Sequence, residues 1–319
     1  MLACKLIPKS PFHFGIREGW MEGTEVFLHS DTLFSAFFNS YLLLYGEERL
    51  KGLLEEFLKG APPFIFSSAF PFWEEKYYFP IPRNFFPREK DLKKARFVEK
   101  KGFESFLRGV KEDLEEKTAE SFDVLPTFKG DSPYAVHIVP HVSLDALAYS
   151  STLFHSSNLF FREGAGLFFL IQIRQPDLKN QILAVLRLMG DEGIGGDRSS
   201  GCGGFWAEIR EDFNIDYPPD GEALCLLSLC FPGENDLLNL ENGYFELLER
   251  KGYAFSPEVK SIRKRSVRML QEGSVFKTKC LEGKILDITP QGVKTPHPIF
   301  RCGLAFTVPC KWRENENQN

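Results

Sequence analysis

This sequence has no lysine-bearing phosphate loop, no dinucleotide fingerprint, no CxxC pair and no long apolar run, and each absence removes a class of function. A nucleoside-triphosphate loop requires GxxxxGK followed by Ser or Thr, and in the frame from Gly196 to Gly201 the next residue is Cys202, where the lysine belongs. A dinucleotide site wants GxGxxG, but the frame opening at Gly193 and Gly195 ends on Arg198. No uninterrupted stretch of about 18 apolar residues offers a membrane-spanning helix. The opening MLACKLIPKSPFHFG lacks the apolar core and cleavage pattern of a signal peptide, so a soluble, cytoplasmic protein with no membrane partner is expected. The 7 cysteines form no CxxC pair, which argues for reduced, buried thiols, with Cys225 and Cys230 on an apolar strand. His137 and His141 have the i,i+4 spacing of a zinc helix, yet they bracket Ile138, Val139 and Pro140, which a helix would not hold. No metal site and no cofactor are expected. The net charge of −5 does not mark a nucleic-acid binder, and the RNP1 pattern of alternating aromatics after a basic start is missing.

What is present is concentrated in one loop. From Gly193 to Trp206 the chain reads GIGGDRSSGCGGFW, with glycine at 193, 195, 196, 201, 203 and 204. Such a cluster needs left-handed backbone or contacts too close for a Cβ, and successive exposed amides in a loop of this kind form an anion-binding concavity. Arg198 adds charge-assisted donors, while Ser199 and Ser200 add hydroxyls. The segment before it, Asp177 to Gly190, places Ile182, Val185, Leu186 and Met189 on one helical stripe, with Gly190 as its stop. The order is thus helix, loop, strand, which puts the helix N-terminus that normally receives a nucleotide at the wrong end.

Periodicity supplies the remaining elements. Ala3 to Pro8 reads as a strand, and Asp31 to Tyr45 as a helix capped by Ser30, with Asp31 favourably placed in the first turn. Phe64 to Phe79 reads as extended, Leu167 to Ile173 and Phe205 to Arg210 as strands, and Asp212 to Glu222 as a linker with paired prolines. Beyond it, strands are expected at Ala223 to Phe231, Tyr244 to Phe255, Ser274 to Lys279, Lys284 to Ile288 and Phe300 to Val308. The fold expected is α+β: two ferredoxin-like, RRM-related domains packed together. The first covers residues 1–211, with a large insertion between Leu50 and roughly Phe161 and the glycine-rich loop before its last strand. The second, degenerate one covers 212–311, and 312–319 form a disordered tail. The 32 phenylalanines suit packed sheets with aromatic faces.

Charge is segregated rather than abundant. Arg83 to Lys111 is mostly basic and Glu112 to Asp123 mostly acidic, which reads either as a solvated helix or as opposite-signed faces. A second cluster, Lys260, Arg263, Lys264, Arg265 and Arg268 beside Pro257, suits phosphate contact or an acidic protein surface. His29 can be read as a general base or as a packing histidine near the helix start, and Asp31 as a catalytic acid or a first-turn carboxylate. Neither has an evident catalytic partner in the sequence, and the chain is read as no enzyme.

The glycine-rich segment resembles the loop of the RAMP proteins of CRISPR systems. The run His29-Ser30-Asp31-Thr32-Leu33-Phe34-Ser35-Ala36 is similar to the opening of that family's first helix. The stretch HVSLDALAYSSTLFHSSNLFFREGAGLFFL, His141 to Leu170, resembles the segment that starts a protruding hairpin and returns to the sheet. KRSVRMLQEGSVFK and HPIFRCGLAFTVP in the C-terminal third resemble subunit four of the type III-A Csm effector complex. One departure is Ala146, where many relatives carry arginine.

The resemblance implies a non-catalytic RNA-binding subunit in a hetero-oligomeric ribonucleoprotein of antiviral defence. It would grip the repeat-derived 5′ handle of crRNA and join the large Palm-domain subunit to the first backbone subunit. The implied RNA contacts are the amides of Gly195, Gly196, Gly201 and Gly203 and the side chains of Arg198 and Ser199. Gly193, Asp197, Ser200, His29, Ser30, His141, Ser143, Arg263, Lys264 and Arg265 complete the candidate site. A hairpin over His141 to Phe161 would press between handle and guide, with Leu153 or Phe154 as the wedge. The alternatives are a metal-independent RAMP endoribonuclease that matures CRISPR transcripts and a general single-strand RNA binder. In such nucleases the glycine-rich loop lies close to the C-terminus, whereas here a third of the chain follows it.

Overall fold

Phe168 and Phe169 are consecutive on one strand, so period-2 alternation sends their rings to opposite faces and requires both faces to be covered. In the computed structural model both are fully buried. It describes residues 1–17, 20–85, 95–109, 124–126, 132–145, 150–237, 240–254, 262–292 and 294–313. The molecule is mixed α and β, with many short strands and few helices.

The main sheet has eight strands. At its heart the last strand of the first half, Phe205–Arg210, pairs with Leu2–Pro8, which pairs with Ala165–Ile173, which in turn pairs with Phe64–Phe66 and Phe70–Trp73. All these pairings are antiparallel. The sheet continues through Lys76–Pro80, Ala95–Glu99 and Val124–Pro126. The expected single extended run from Phe64 to Phe79 is therefore three short strands. Ser67 and Ser68 interrupt it, turning their hydroxyls to the carbonyl of Ser68 and the carboxylate of Glu272.

Two helices cover one face. The first, Ser30–Leu58, is two helices joined at Gly46, whose φ of 81° breaks the spiral, so it outruns the expected end at Tyr45 by changing direction there. The other, Lys179–Glu192, buries Ile182, Val185, Leu186 and Met189, the stripe read from the sequence. It does not stop at Gly190. That glycine is helical and lets the helix lie against the backbone of Phe205, and the stop is Gly193. Phe37 meets Phe64 and Phe66 edge-on, each at 5.2 Å, and Phe66 meets Phe169 at 5.4 Å.

The opposite face is covered too. Phe79 stacks on Phe103 of the helix Lys100–Arg108 at 4.7 Å, and Phe213 packs against Tyr77 and Phe168. Asp212 to Glu222 is thus no free linker, since Phe213 and Ile215 are buried. The phenylalanines fill two cores. Among the described residues of this sheet, Phe64, Phe66, Phe70, Phe72, Phe79, Phe97, Phe168, Phe169 and Phe205 are all buried, so neither face offers an open aromatic platform there.

Beyond residue 222, Gly243–Tyr244, Val275–Phe276, Ala223–Leu226 and Thr307–Cys310 form a second sheet in that order. Where strand is expected from Tyr244 to Phe255, the described residues hold three short strands, Gly243–Tyr244, Leu247–Arg250 and Tyr253–Ala254. The pair Gly283–Asp287 and Phe300–Leu304 flanks them. Among the described residues of this half the one helix is a single turn, Glu234–Leu237. The halves share a core in which Cys225, Cys302 and Cys310 join residues of the first sheet. Burial pushes the Cys302 and Cys310 thiols up to about 12, as inert small hydrophobes require. Cys280 is exposed and Cys202 half-buried, because both lie in loops. Trp312, placed in the tail by sequence, instead stacks on Tyr244 at 5.2 Å. The rest of that tail from 314, the acidic run, Pro257, Lys260 and Ala146 lie outside the described residues.

Candidate nucleic-acid interface

The glycine-rich loop begins where Gly193, with φ of 77°, ends its helix. It then presses onto the segment after the first strand. A Cβ on Gly195 would stand 2.5 Å from the carbonyl oxygen of His13, and one on Gly203 would collide with the carbonyl of Ile194. Glycine is thus required by close backbone approach, and the amides are spent on the same contacts. Gly196 N–H donates to His13 O and Gly203 N–H to Pro11 O, both at 2.8 Å, while Gly201 N–H donates to Arg198 O at 3.0 Å. The expectation that these three amides face a phosphate is corrected accordingly. Gly203 is buried behind the loop. What the loop offers outward is its crest: Ser199, Ser200 and Gly201 are exposed, with Asp197 and Arg198 half-buried beside them. Asp197 is left-handed at φ of 53°, and its carbonyl receives the N–H groups of Ser200 and Cys202 to hold the single 3-10 turn Arg198–Ser200.

One side of this loop opens onto a cleft of ≈ 910 Å³ between the halves. Gly195, Gly196 and His13 line it from the first half, as do His29 and Asp31 at the start of the first helix. Arg250, Arg263, Lys264 and Arg301 line it from the second. The structure therefore brings together six residues singled out in the sequence, His29, Asp31, Gly195, Gly196, Arg263 and Lys264, although 67 positions or more separate the basic pair from the glycines. His13 Nδ1 donates to Ser157 O at 2.6 Å, since a carbonyl can only accept.

Asp31 organises the floor. It is 3% exposed and receives Arg250 Nε at 3.0 Å, Arg250 Nη2 at 2.9 Å and Arg301 Nη1. Burial alone would raise its pKa, but the two guanidinium groups outweigh burial and hold the carboxyl well below the usual range. The first-turn reading of Asp31 is incomplete, for its principal partners come from the second half. His29 occupies the N-cap position without capping, and its Nδ1 lies 2.8 Å from Glu272 Oε1, which also accepts from Ser68. Glu272 is held low as well, because contact with His29 outweighs burial. Ser30 does not cap either. It is the first helical residue, and its hydroxyl accepts the N–H of Leu229 at 3.0 Å. Lys264 forms no ion pair among the described residues, and burial, reinforced by Arg301, lowers its pKa to about 8.

Other candidates lie elsewhere. Arg265 donates to the Asp287 carbonyl rather than lining the cleft, and Arg268 sits on strand Val267–Leu270. His141 and Ser143 belong to a long hairpin, Tyr134–Asp145 with Ser150–Phe161, where His141 bonds Ser156 Oγ at 2.8 Å and stacks on Phe154. A zinc helix at His137 and His141 is ruled out by that strand. The sequence reading missed His13, Arg250, Glu272 and Arg301. Their partners are distant in the chain; Glu272 and Arg301 lie within the two C-terminal runs quoted above, but nothing in those runs singles them out.

A family model described as the CRISPR Csm4 C-terminal domain matches residues 219–310. The chain is 30% identical over 328 residues to the CRISPR system Cms protein Csm4 of Thermococcus onnurineus (strain NA1), covering 96% of each. It is 27% identical to the protein of the same name from Methanocaldococcus jannaschii, covering 91% of this chain and 89% of that one. Among solved structures, a chain of the Csm1-Csm4 cassette in complex with cA4 is 25% identical with a TM-score of 0.64, covering 98% and 99% of the two chains. A chain of the Csm3-Csm4 subcomplex of the type III-A CRISPR-Cas interference complex shares the fold, with a TM-score of 0.65 at 24% identity over 97% and 99%.

Proposed function

The chain belongs to the Csm4 family of CRISPR proteins, and on that premise we propose that it is the non-catalytic subunit of a type III-A Csm complex that holds the 5′ handle of crRNA. The observation that carries the proposal is the cleft, in which His29 and the glycine-rich loop face the basic residues of the second half. Arg250, Arg263, Lys264 and Arg301 supply positive charge there to a protein of net charge −5, so the attraction for phosphate is local. Each half is read as a ferredoxin-like unit, the second degenerate. The strand order of the first, in which its last strand lies beside its first and its third beside its second, supports that reading.

With the amides of Gly196, Gly201 and Gly203 spent inside the loop, phosphate contact falls to the crest, Arg198, Ser199 and Ser200, and to the cleft cations. Phosphate contacts set register, and base choice would come from splayed handle bases in the cleft. A non-catalytic role suits His29, which is buried and tied through Nδ1 to Glu272. Relatives seen as Csm1-Csm4 and Csm3-Csm4 assemblies support a linking position between the large Palm-domain subunit and the first backbone subunit.

The test is mass spectrometry and RNA sequencing of what co-purifies with the tagged protein from its own cells, beside Arg198→Ala. A multi-subunit assembly carrying RNAs with one shared 5′ handle, retained less by the variant, is expected. Recovery of the protein alone, or with heterogeneous or freshly cleaved repeat RNA, would replace this reading with the general binder or the processing nuclease.

A further inference from the structure

The floor of the cleft carries more positive charge than its carboxylates neutralise. Arg250, Arg301 and Lys264 converge there on one carboxylate, Asp31. Glu272 adds a second carboxylate nearby, its Oε1 engaged by His29 and Ser68 and its Oε2 buried without a partner among the described residues, which still leaves one of the three cations unbalanced. Glu25 pairs with Arg96 and Glu249 with Lys251, each at 2.8 Å. Arg301 is 4% exposed, and its Nε and Nη2 have no acceptor among the described residues. A buried guanidinium with two unmatched donors is costly, and an anion with several oxygens relieves that cost. The cavity beside it has the size of a ligand pocket, which is roughly 300–1,000 Å³.

We propose that this floor is a binding site for one phosphate group, seated by Lys264 Nζ and Arg250 with the half-neutralised Arg301 behind them. The proposal rests on the RNA-holding reading for its source, a backbone phosphate of the bound strand, while free phosphate shares the chemistry. Across the cleft, Gly195 and Gly196 line the loop side together with His13 and Phe14. The site is separate from the loop crest, so it adds a second anchoring point on the strand.

The experiment uses the full chain and its assembled complex, as wild type, Lys264→Gln and Lys264→Arg. Melting is followed in inorganic phosphate against chloride at matched ionic strength, and handle RNA binding is followed against salt. Phosphate is expected to raise the melting temperature of the wild type and of Lys264→Arg, and not of Lys264→Gln. In the same variant RNA affinity should fall about tenfold, and the slope of log K against log salt should shrink by about 0.7, the value of one single-strand phosphate contact. A phosphate response lost in Lys264→Gln with RNA binding unaltered would keep the site and assign it to free phosphate. Identical phosphate responses in wild type and Lys264→Gln would overturn the proposal. An Arg198→Ala complex that loses RNA in that case would leave the RNA-holding reading standing. A wild-type complex that binds no handle RNA would instead remove that reading, whatever phosphate does.

Discussion

At the scale of single residues, the glycine-rich loop was legible as a glycine-dense connection from helix to strand, but the reason for its glycines was not. Sequence pointed to exposed amides, whereas Gly195 and Gly203 are required because the loop lies on the backbone of its neighbours. Gly201 and Gly203 separate the two reasons. Both have φ of 86°, yet a Cβ on Gly201 would meet nothing within 4 Å, while one on Gly203 would strike the Ile194 carbonyl. Gly201→Ala should therefore cost only the left-handed penalty of about 1–2 kcal/mol. Gly203→Ala adds a backbone collision and should cost clearly more, with the loop displaced from Pro11. Urea unfolding of the two variants checks this, and equal losses would mean that the loop does not depend on close approach. Spacing could name the glycines, but which of them touch backbone is a tertiary fact.

Among the elements, strands and helices with strong periodicity were readable. Phe205–Arg210 and the buried stripe of Lys179–Glu192 stand where alternation and helical spacing put them. Boundaries set by distant partners were not. Ser30 looks like a cap, but Leu229, 199 positions away, claims its hydroxyl. The hairpin is the element whose exterior is least explained by its own packing. Its base is anchored, since Leu159 is fully buried and exchanges backbone hydrogen bonds with Phe12 at 2.7 and 2.9 Å. Farther out, Val142 faces Leu153 across the ladder, and the two are 59% and 60% exposed. Phe154, the other wedge candidate, is half-buried against His141 on the opposite face. Double replacement of Val142 and Leu153 by serine should leave melting of the isolated protein within about 0.5 kcal/mol, because no core is disturbed. The same variant should retain less handle RNA in the assembled complex. A collapsed melting curve, or undiminished retention, would show that this face is not the one that meets a partner.

At the scale of the whole molecule, sequence located the basic cluster and the helix start but could not show that they face each other. The seam between the halves is polar at its floor, and there Lys264 is a cation whose charge is disfavoured. In the folded chain it titrates at about 8, against an ordinary value of 10.5, because burial and the neighbouring Arg301 and Arg250 oppose its charge more than Asp31 supports it. Between those two values the unfolded chain binds more protons at this site than the folded one. Stability contributed by Lys264 therefore rises with pH across that window, and below it the cost of holding the charge is present in full. Phosphate binding has the opposite dependence, since the anion needs the protonated amine. A stability profile of the wild type minus that of Lys264→Gln, taken without phosphate, should slope upward from about pH 8 and level off near 10.5. The melting increment given by phosphate should fade over the same rise. A flat difference profile would mean that Lys264 stays solvated, and that the charge surplus at the seam is already balanced by water and not held for an anion.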